Sequence, residues 1–364
     1  MADFSYDNVG VAAVTAAVPS YFQTITDDLI ANDRYCKNFV KQTGVRKRYI
    51  SLTEQSCVDL GVVALKRALE IAEWDKNSLN MVIFDSQTPD YCGGTGDSTF
   101  IHHYLDLPVT CATLDLNLGC SGVPYSLSVA SSFLQQSNIN RIAVLLGDTQ
   151  WCNYKSKEEI TAEKCFLMGE AVGVVLLEKQ FSNISNYSLF TNGHGYKHLL
   201  HVGTGFKNTW RNSDKYLLPN GEIASKGNYM DGVEIALFTN TDICTSLKEY
   251  LSGRKLEISD FDYVLLHQAN LQLINGIIKK LQIPKEKVPV SIDKYANTST
   301  ASAVVTLCSE FGNNHQGLKR FLNCSFGIGL SWGISDLIIN TDVIGEIEKT
   351  DLLLDEHFLK SVKG

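Results

Sequence analysis

A strand pattern that passes through a small-residue turn into a helical pattern occupies residues 114–130. Three leucines alternate with Asp and Asn between Leu114 and Leu118, which predicts a β-strand. Residues 119–122 (GCSG) form a tight turn, and an apolar helical pattern begins at Val123. A buried strand that leads directly into a helix is typical of layered α/β folds, so this order constrains the fold class.

The position of Cys120 inside that turn is typical of a reactive thiol. Free backbone N–H groups and the macrodipole at a helix N-terminus favour an anion. We therefore expect part of the Cys120 population to be thiolate, which is the nucleophilic form. Gly119 and Gly122 allow a substrate to approach the sulfur closely. A buried structural cysteine is the alternative interpretation, and partner residues elsewhere in the chain decide between the two.

Charge and composition exclude some classes of protein. The 364 residues are 44% hydrophobic and 20% charged, and the formal net charge is −8. This acidic balance argues against a nucleic-acid-binding protein. It leaves an acidic carrier-protein partner open, because such a partner needs only a local basic patch.

Cysteine usage predicts a cytoplasmic protein. The chain has ten cysteines and begins without a basic segment followed by an apolar core, so we expect reduced thiols and no signal peptide. No stretch reaches the roughly 18 uninterrupted apolar residues of a membrane span. The sequence also lacks a CxxC pair or a Cys/His cluster, so we expect no zinc site.

Strand and helix patterns alternate along the chain and then repeat, which predicts an α/β fold with buried sheet. We expect two similar halves packed face to face: residues 1–180, which carry the nucleophilic Cys, and residues 181–364, which carry the other polar motifs. Residues 183–229 are predicted to be an irregular insertion over the site entrance, with a plain surface loop as the alternative. Strands are predicted at 9–18, 79–84, 114–118, 141–147, 171–177, 261–266, 321–326 and 331–339. Helices are predicted at 26–43, 53–73 with Thr53 as its cap, 99–105, 123–134, 270–281 and 297–311.

Three polar motifs lie in the second half. His267 follows an apolar strand directly in residues 265–270 (LLHQAN), at the strand end where α/β sheets place their sites. Asn297 opens a Ser, Thr and Ala-rich segment, and residues 326–333 (FGIGLSWG) form a glycine-rich turn. Each motif alone has an ordinary structural interpretation, as a helix cap or a turn. Their order after Cys120 is more specific.

This order of motifs resembles the β-ketoacyl-acyl-carrier-protein synthase III family of the thiolase superfamily, over nearly the whole chain. Residues 43–46 (TGVR), 168–171 (MGEA) and 230–234 (MDGVE) add to the resemblance. It implies a thiolase-like five-layer αβαβα fold made of two similar halves, a homodimer, and an acyl-carrier protein as partner. It also implies that no metal or redox cofactor is needed, since acyl and malonyl thioesters of acyl-carrier protein or coenzyme A are substrates.

By this resemblance Cys120, His267 and Asn297 form the catalytic triad of a decarboxylating condensing enzyme. The backbone N–H groups of Cys120 and Ile328 would hold the oxyanion. Phe326 would lie near the malonyl carboxylate. Two alternatives stay open: transfer of the Cys-bound acyl group to an alcohol or amine, and a non-catalytic partner subunit. The expected pocket turn consists of Phe326, Gly327, Ile328 and Gly329.

Several residues are expected to contact the carrier or its phosphopantetheine arm. For the cations among them, including Arg48, a solvated side chain is the equal alternative. At positions where the family binds the coenzyme A nucleotide and pantetheine, this chain has other residue types. This argues against coenzyme A as the first acyl donor and leaves two donors open, coenzyme A and an acyl-carrier protein. Small residues at 92–95 (CGGT) suggest room for a bulky or polar acyl group. The expected contacts are Arg46, Arg48, Gly232, Gln268, Asn270, Lys279 and Lys280, and the altered positions are Asn38, Gln42, Ala162, Val233 and Gln272.

Overall fold

The computed structural model describes residues 2–52, 54–91, 94–149, 167–202, 215–218, 221, 223–225 and 227–354. The α-helices of these residues are α1 (Asp27–Asn32), α2 (Arg34–Thr43), α3 (Cys57–Ile71), α4 (Asp97–Tyr104), α5 (Gly122–Phe133), α6 (Gly232–Phe238), α7 (Cys244–Arg254), α8 (Leu271–Leu281), α9 (Ile292–Tyr295) and α10 (Ser302–Phe311). The strands are β1 (Ala2–Pro19), β2 (Phe22–Thr24), β3 (Lys47–Tyr49), β4 (Met81–Asp85), β5 (Ala112–Leu116), β6 (Arg141–Asp148), β7 (Ala171–Thr191), β8 (Leu199–Val202), β9 (Lys215–Leu217), β10 (Ile223–Ser225), β11 (Gly227–Met230), β12 (Tyr263–Leu266), β13 (Leu318–Gly327), β14 (Ser331–Asn340) and β15 (Ile344–Thr350).

Two long strands, β1 and β7, join the strands of both halves into one nine-stranded sheet. Residues 171–178 of β7 pair with β6, in a part of the sheet where β6 and β5 flank β4 in parallel. Residues 186–191 of β7 pair with β14, which continues through β13 to the parallel strand β12. Both parts of β7 also pair with β1. Strand β7 runs through position 180 without a break, so no boundary between the two halves is marked there. The division into residues 1–180 and 181–364 stays a prediction.

Alternate side chains of the strands enter different cores, which produces the layers. Met81 and Ile83 of β4 belong to a central core with α5 and α10, whereas Val82 and Phe84 belong to an outer core with α3. A third core packs α7 and α8 against β12 and β13. The layer order is therefore α3, the part of the sheet around β4, α5 with α10, the part of the sheet around β12, and α7 with α8. This confirms the predicted five-layer αβαβα fold.

Some local predictions were wrong in detail. The strand before Cys120, β5, is not buried, because it ends the sheet and pairs only with β4 among the described strands. Thr53 lies outside the described residues, and the cap of α3 is Ser56, whose backbone N–H donates to Asp59 in a capping box. Asn297 does not open a helix directly, since a short 3-10 turn precedes α10.

The predicted irregular insertion at 183–229 begins later than expected. Residues up to Thr191 continue β7, because they find strand partners in both β1 and β14. Beyond it, two small antiparallel pairs form, β8 with β11 and β9 with β10. No helix in the described part of the chain combines the length and the apolar character that a bilayer crossing requires.

Candidate active site

Cys120 lies in the turn between β5 and α5, as the strand-turn-helix pattern predicts. The next residue, Ser121, places its Oγ 2.6 Å from Oγ of Ser331 and so ties the turn to β14. Gly327, the last residue of β13, packs against the cysteine. A Cβ added to Gly327 would lie 2.7 Å from Cβ and 3.2 Å from Sγ of Cys120. Only glycine fits here, so the β13–β14 turn and Cys120 share one site.

The surroundings of the Cys120 sulfur favour the neutral thiol. Burial raises the pKa of the Cys120 thiol to about 12, while the Ser299 hydroxyl acts in the opposite direction. Ser299 Oγ lies 3.5 Å from Cys120 Sγ. Removal of water from around the sulfur disfavours its charged form. Burial therefore opposes the expected partial thiolate, and the contact with Ser299 favours it.

His267 directly follows β12, and its backbone N–H donates to the Cys324 carbonyl at 3.0 Å. The residue is 2% exposed, and burial lowers the pKa of its imidazole to about 3. Its Nδ1 atom lies 2.7 Å from Ser302 Oγ. The Phe326 ring meets the imidazole edge to face, with 5.3 Å between ring centroids. His267 is thus a neutral imidazole in a fixed orientation.

Asn297 is locked by the backbone on both sides. Its N–H donates to Leu167 O and its carbonyl accepts from Gly169 N–H, each at 2.9 Å. A side chain at Gly169 would lie 2.2 Å from the Tyr295 carbonyl oxygen, so only glycine permits this approach. The Asn297 side-chain oxygen accepts from the Ser299 N–H at 2.9 Å.

The short segment 297–302 brings the three expected catalytic residues together. Asn297 contacts Ser299, and Ser299 contacts Cys120. Ser302, at the other end of the segment, contacts His267. The pocket turn closes the site: Phe326 and Gly327 contact His267 and Cys120 as described above, and Ile328 and Gly329 form the turn that follows. Within that turn, Ser331 Oγ donates to the Ile328 carbonyl at 2.7 Å, and Gly329 has a φ of 135°.

Sequence reasoning missed the buried carboxylate of Asp148 behind this segment. Asp148 is fully buried and accepts hydrogen bonds from Ser86 Oγ, Gln87 N, Thr88 Oγ1, and both N–H and Oγ1 of Thr300. It thereby joins the end of β4 to the 297–302 segment. The available sequence signal was an Asp directly after the apolar strand at 141–147.

Sequence reasoning also missed Asp85, the last residue of β4, and the available sequence signal was again an Asp at the end of an apolar strand. Its carboxyl oxygens accept from Leu118 N–H at 2.8 Å and from Ser126 Oγ at 2.6 Å. Burial raises the pKa of Asp85 to about 7. This side chain holds the Cys120 turn and α5 against β4.

Of the cations expected to meet a carrier, three lie at the surface. The Arg46 side chain is 52% exposed and pairs with Asp27 at 2.9 Å. Lys279 and Lys280 occupy the last turn of α8, and Lys280 Nζ donates to the Asn240 carbonyl. The prediction of a surface cation was wrong for Arg48. This residue is 1% exposed, because its guanidinium donates hydrogen bonds to Gln23 and to the Met168 carbonyl inside the fold.

The other expected contacts have mixed placements. Gln268 is 1% exposed, and its side-chain amide donates to Leu266 O at 2.8 Å and accepts from the Ser291 N–H at 3.0 Å. This placement is at odds with a phosphopantetheine contact. Asn270 caps α8 through the Leu273 N–H, and Gly232 begins α6. Ala162 and residues 92–93 lie outside the described residues. Among the residues that the structure describes, no group of three or more His, Cys, Asp or Glu is arranged to hold a metal ion.

Comparisons with known proteins agree with this architecture. Residues 114–193 match the family model of 3-oxoacyl-(acyl-carrier-protein) synthase III, and residues 251–337 match its C-terminal model. A Campylobacter jejuni protein named as a 3-oxoacyl-(acyl-carrier-protein) synthase 3 is 31% identical over 337 residues, covering 90% of this chain and 93% of its own. The β-ketoacyl-(acyl-carrier-protein) synthase III of Methylococcus capsulatus is 28% identical, covering 85% and 93%.

A solved 3-oxoacyl-(acyl-carrier-protein) synthase from Burkholderia xenovorans superposes with a TM-score of 0.85 at 26% identity, over 96% of this chain and 99% of that one. The similarity therefore extends over the whole fold and includes the Cys120 turn, the His267 strand and the 297–302 segment. The chain is a member of the 3-oxoacyl-(acyl-carrier-protein) synthase III family, within the thiolase superfamily.

Proposed function

We propose that this condensing enzyme forms an acyl-thioester on Cys120 and then joins that acyl group to a malonyl thioester with loss of carbon dioxide. The observation that supports this proposal best is the series of contacts around residues 297–302. It connects a partly buried thiol with a buried neutral imidazole and a buried amide. These are the groups that thioester exchange and enolate stabilisation require.

In the first half-reaction, the Cys120 sulfur attacks the carbonyl carbon of an acyl thioester. The backbone N–H groups of Cys120 and Ile328 stabilise the oxyanion. The donor's sulfur then leaves and takes up the proton that Cys120 gave up. The products are the Cys120 acyl-thioester and the free thiol of the donor.

In the second half-reaction, a malonyl thioester loses carbon dioxide, and the negative charge develops on its thioester oxygen. His267 and Asn297 donate hydrogen bonds to that oxygen. Because the pKa of His267 is about 3, the imidazole donates without giving its proton away. Phe326 presents an apolar wall to the malonyl carboxylate and disfavours its charge.

The carbanion attacks the acyl carbonyl, and a carbon–carbon bond forms as the bond to sulfur breaks. The Cys120 thiolate released in this step takes up a proton from solvent, because its own proton left with the donor thiol in the first half-reaction, and the product is a 3-ketoacyl thioester. No step requires a metal ion or a redox cofactor, so the proposal includes neither.

An acyl-carrier protein is the proposed donor and acceptor of acyl groups. The exposed side chains of Arg46 and the α8 lysines supply positive charge for an acidic carrier surface. Asn38, Gln42 and Gln272 offer neither an aromatic face nor a cation to a nucleotide. Intact-protein mass spectrometry after exposure to acyl-carrier protein or acyl-coenzyme A tests this choice: equal loading of Cys120 from both would contradict it.

A homodimer is part of the proposal. Strand β5 forms an edge of the described sheet, and Ala112, Thr113 and Asp115 are exposed. An unpaired strand edge is a ready template for pairing with a second copy of the chain. Sedimentation equilibrium gives the subunit count directly.

Two variants test the chemistry. Cys120→Ala should form no acyl-enzyme, and His267→Ala should acylate Cys120 but release little carbon dioxide from radiolabelled malonyl-carrier protein. Acylation of Cys120→Ala at the wild-type rate would exclude Cys120 as nucleophile. Acyl transfer to an alcohol or amine without carbon dioxide release would contradict condensation.

A further inference from the structure

Ser299 Oγ stands between two side chains, 3.5 Å from Cys120 Sγ and 2.6 Å from Gln87 Nε2. We propose that Ser299 is a catalytic residue that donates a hydrogen bond to the Cys120 thiolate, and that Gln87 is the positioning residue that sets the direction of this bond. The inference rests on the proposed role of Cys120 as nucleophile and adds two residues to it.

The direction of the hydrogen bonds follows from the chemistry of each group. The Nε2 of Gln87 also lies 3.4 Å from a carboxylate oxygen of Asp148, which only accepts, so this end of the amide is the NH₂ donor. Ser299 Oγ therefore accepts from Gln87. Its own hydroxyl hydrogen is left for Cys120 Sγ, the other hydrogen-bonding contact of Ser299 Oγ among the described residues.

Loss of the thiol proton makes this contact directional. A Cys120 thiol can share its hydrogen with Ser299 Oγ, but a thiolate has no hydrogen and can only accept. Ser299 then supplies the hydrogen, in a site where the charge is desolvated and a donor has a large effect. Ser299 itself is fully buried, so water does not compete for its hydroxyl.

The backbone holds Ser299 in this place at a conformational cost. Its φ is 50°, in the left-handed region that side chains other than Gly rarely adopt. The hydrogen bond from Ser299 N–H to the Asn297 side chain fixes this conformation. Thus the Asn297 amide that is proposed to bind the enolate also positions the hydroxyl beside the nucleophile.

Gly119 provides the space that Gln87 needs. A Cβ at Gly119 would lie 2.7 Å from Gln87 Oε1, so the Gln87 side chain lies directly against the turn that carries Cys120. The Gln87 backbone N–H also donates to Asp148 at 2.9 Å. Gln87 is therefore fixed at both its backbone and its amide end.

The test measures the reactivity of Cys120 without any thioester substrate. Iodoacetamide alkylates the sulfur as iodide leaves and the thiol proton passes to the buffer. The rate is followed across pH by mass spectrometry of the Cys120 peptide. Removing the donor should move the rate profile of Ser299→Ala to higher pH by about one unit or more. At a fixed pH below the pKa of Cys120, the alkylation rate should fall about threefold for each unit by which that pKa rises. The thiolate fraction falls about tenfold per unit, while the nucleophilicity of the thiolate rises and offsets part of the loss.

Additional variants separate this role from a general structural effect. Ser299→Gly removes the hydroxyl and accepts the positive φ, so it should show the same shift. It provides the test if Ser299→Ala folds poorly. Gln87→Leu should shift the profile in the same direction, and Ser299→Ala with Gln87→Leu should shift it no further than Ser299→Ala alone.

The matched controls are Ser132→Ala and Gln135→Leu, whose side chains bond backbone carbonyls away from the site. They should leave the profile unchanged. An unshifted profile in Ser299→Gly, or shifts from Ser299 and Gln87 that add, would overturn the proposal. A shifted profile in a protein whose Cys120 accepts no acyl group from any thioester would instead reject the proposed function.

Discussion

Oγ of Ser302, the first residue of α10, lies 2.7 Å from Nδ1 of His267. The Ser302 hydroxyl can donate to Nδ1, which leaves the imidazole hydrogen on Nε2. That tautomer is the one that can donate to an enolate oxygen from the Nε2 side. A residue on the central helix layer thus sets the orientation of a side chain on the neighbouring sheet.

Ser302→Ala should slow carbon dioxide release from malonyl-carrier protein about tenfold, because His267 loses the group that fixes its tautomer. Acylation of Cys120 should stay near the wild-type rate, since Ser302 does not contact the sulfur. The control is Ser309→Ala on the same helix, whose Oγ bonds Glu310. Equal losses of acylation and decarboxylation in Ser302→Ala would contradict this role.

Gly327→Ala should reduce acylation of Cys120 by about tenfold or more, because the new methyl would lie 3.2 Å or less from the cysteine side chain and displace it. Stopped-flow loading from an acyl-carrier protein gives the rate. Gly253→Ala on α7 is the matched control, since its added Cβ meets nothing within 4 Å. Loading of Gly327→Ala at the wild-type rate would contradict the prediction and show that the turn can shift to make room for the methyl.

The decarboxylation rate should not change between about pH 5 and pH 8 on account of His267. Burial lowers the pKa of this imidazole to about 3, so it stays neutral across that range. Carbon dioxide release, measured at saturating malonyl-carrier protein, should therefore lack a transition near the ordinary histidine pKa of about 6.5. A sigmoidal loss of rate between pH 6 and 7 that disappears in His267→Asn would contradict a neutral donor.

Asp97→Asn should make the protein more stable at high pH. Burial, with the neighbouring Asp90 carboxylate, raises the pKa of Asp97 to about 8, and its buried Oδ2 has no hydrogen-bond partner among the described residues. The folded state therefore keeps a proton that the unfolded chain releases near pH 4. Stability from this group is fully present below about pH 4 and falls by at most about 1.4 kcal/mol per pH unit up to about pH 8.

Thermal unfolding of both proteins from pH 4 to pH 9 measures this difference. The Asn side chain carries no charge, so the fall in melting temperature with pH should be smaller in Asp97→Asn than in the wild type. Asp106→Asn is a control at an exposed carboxylate. Parallel curves for Asp97→Asn and the wild type would show that Asp97 does not titrate in this window.

Much of the secondary structure could be predicted because local patterns dominate it. The β6 strand is a run of buried residues, and α8 has an apolar face that the period of 3.6 reveals. The second part of β7 could not be predicted in this way. It is a strand because β1 and β14 lie on either side of it, and those partners are more than a hundred residues distant in the sequence.

The sequence by itself determined the strand-turn-helix around Cys120, the position of His267 after a buried strand and the family. Each of these depends on neighbours along the chain. Tertiary structure alone decided the ionisation of the site, since the pKa values of Cys120 and His267 depend on how much water the whole fold removes. It also decided that Ser299, Gln87 and Asp148 lie together behind Cys120, because hydrogen bonds between residues 61 to 212 positions apart leave no local pattern.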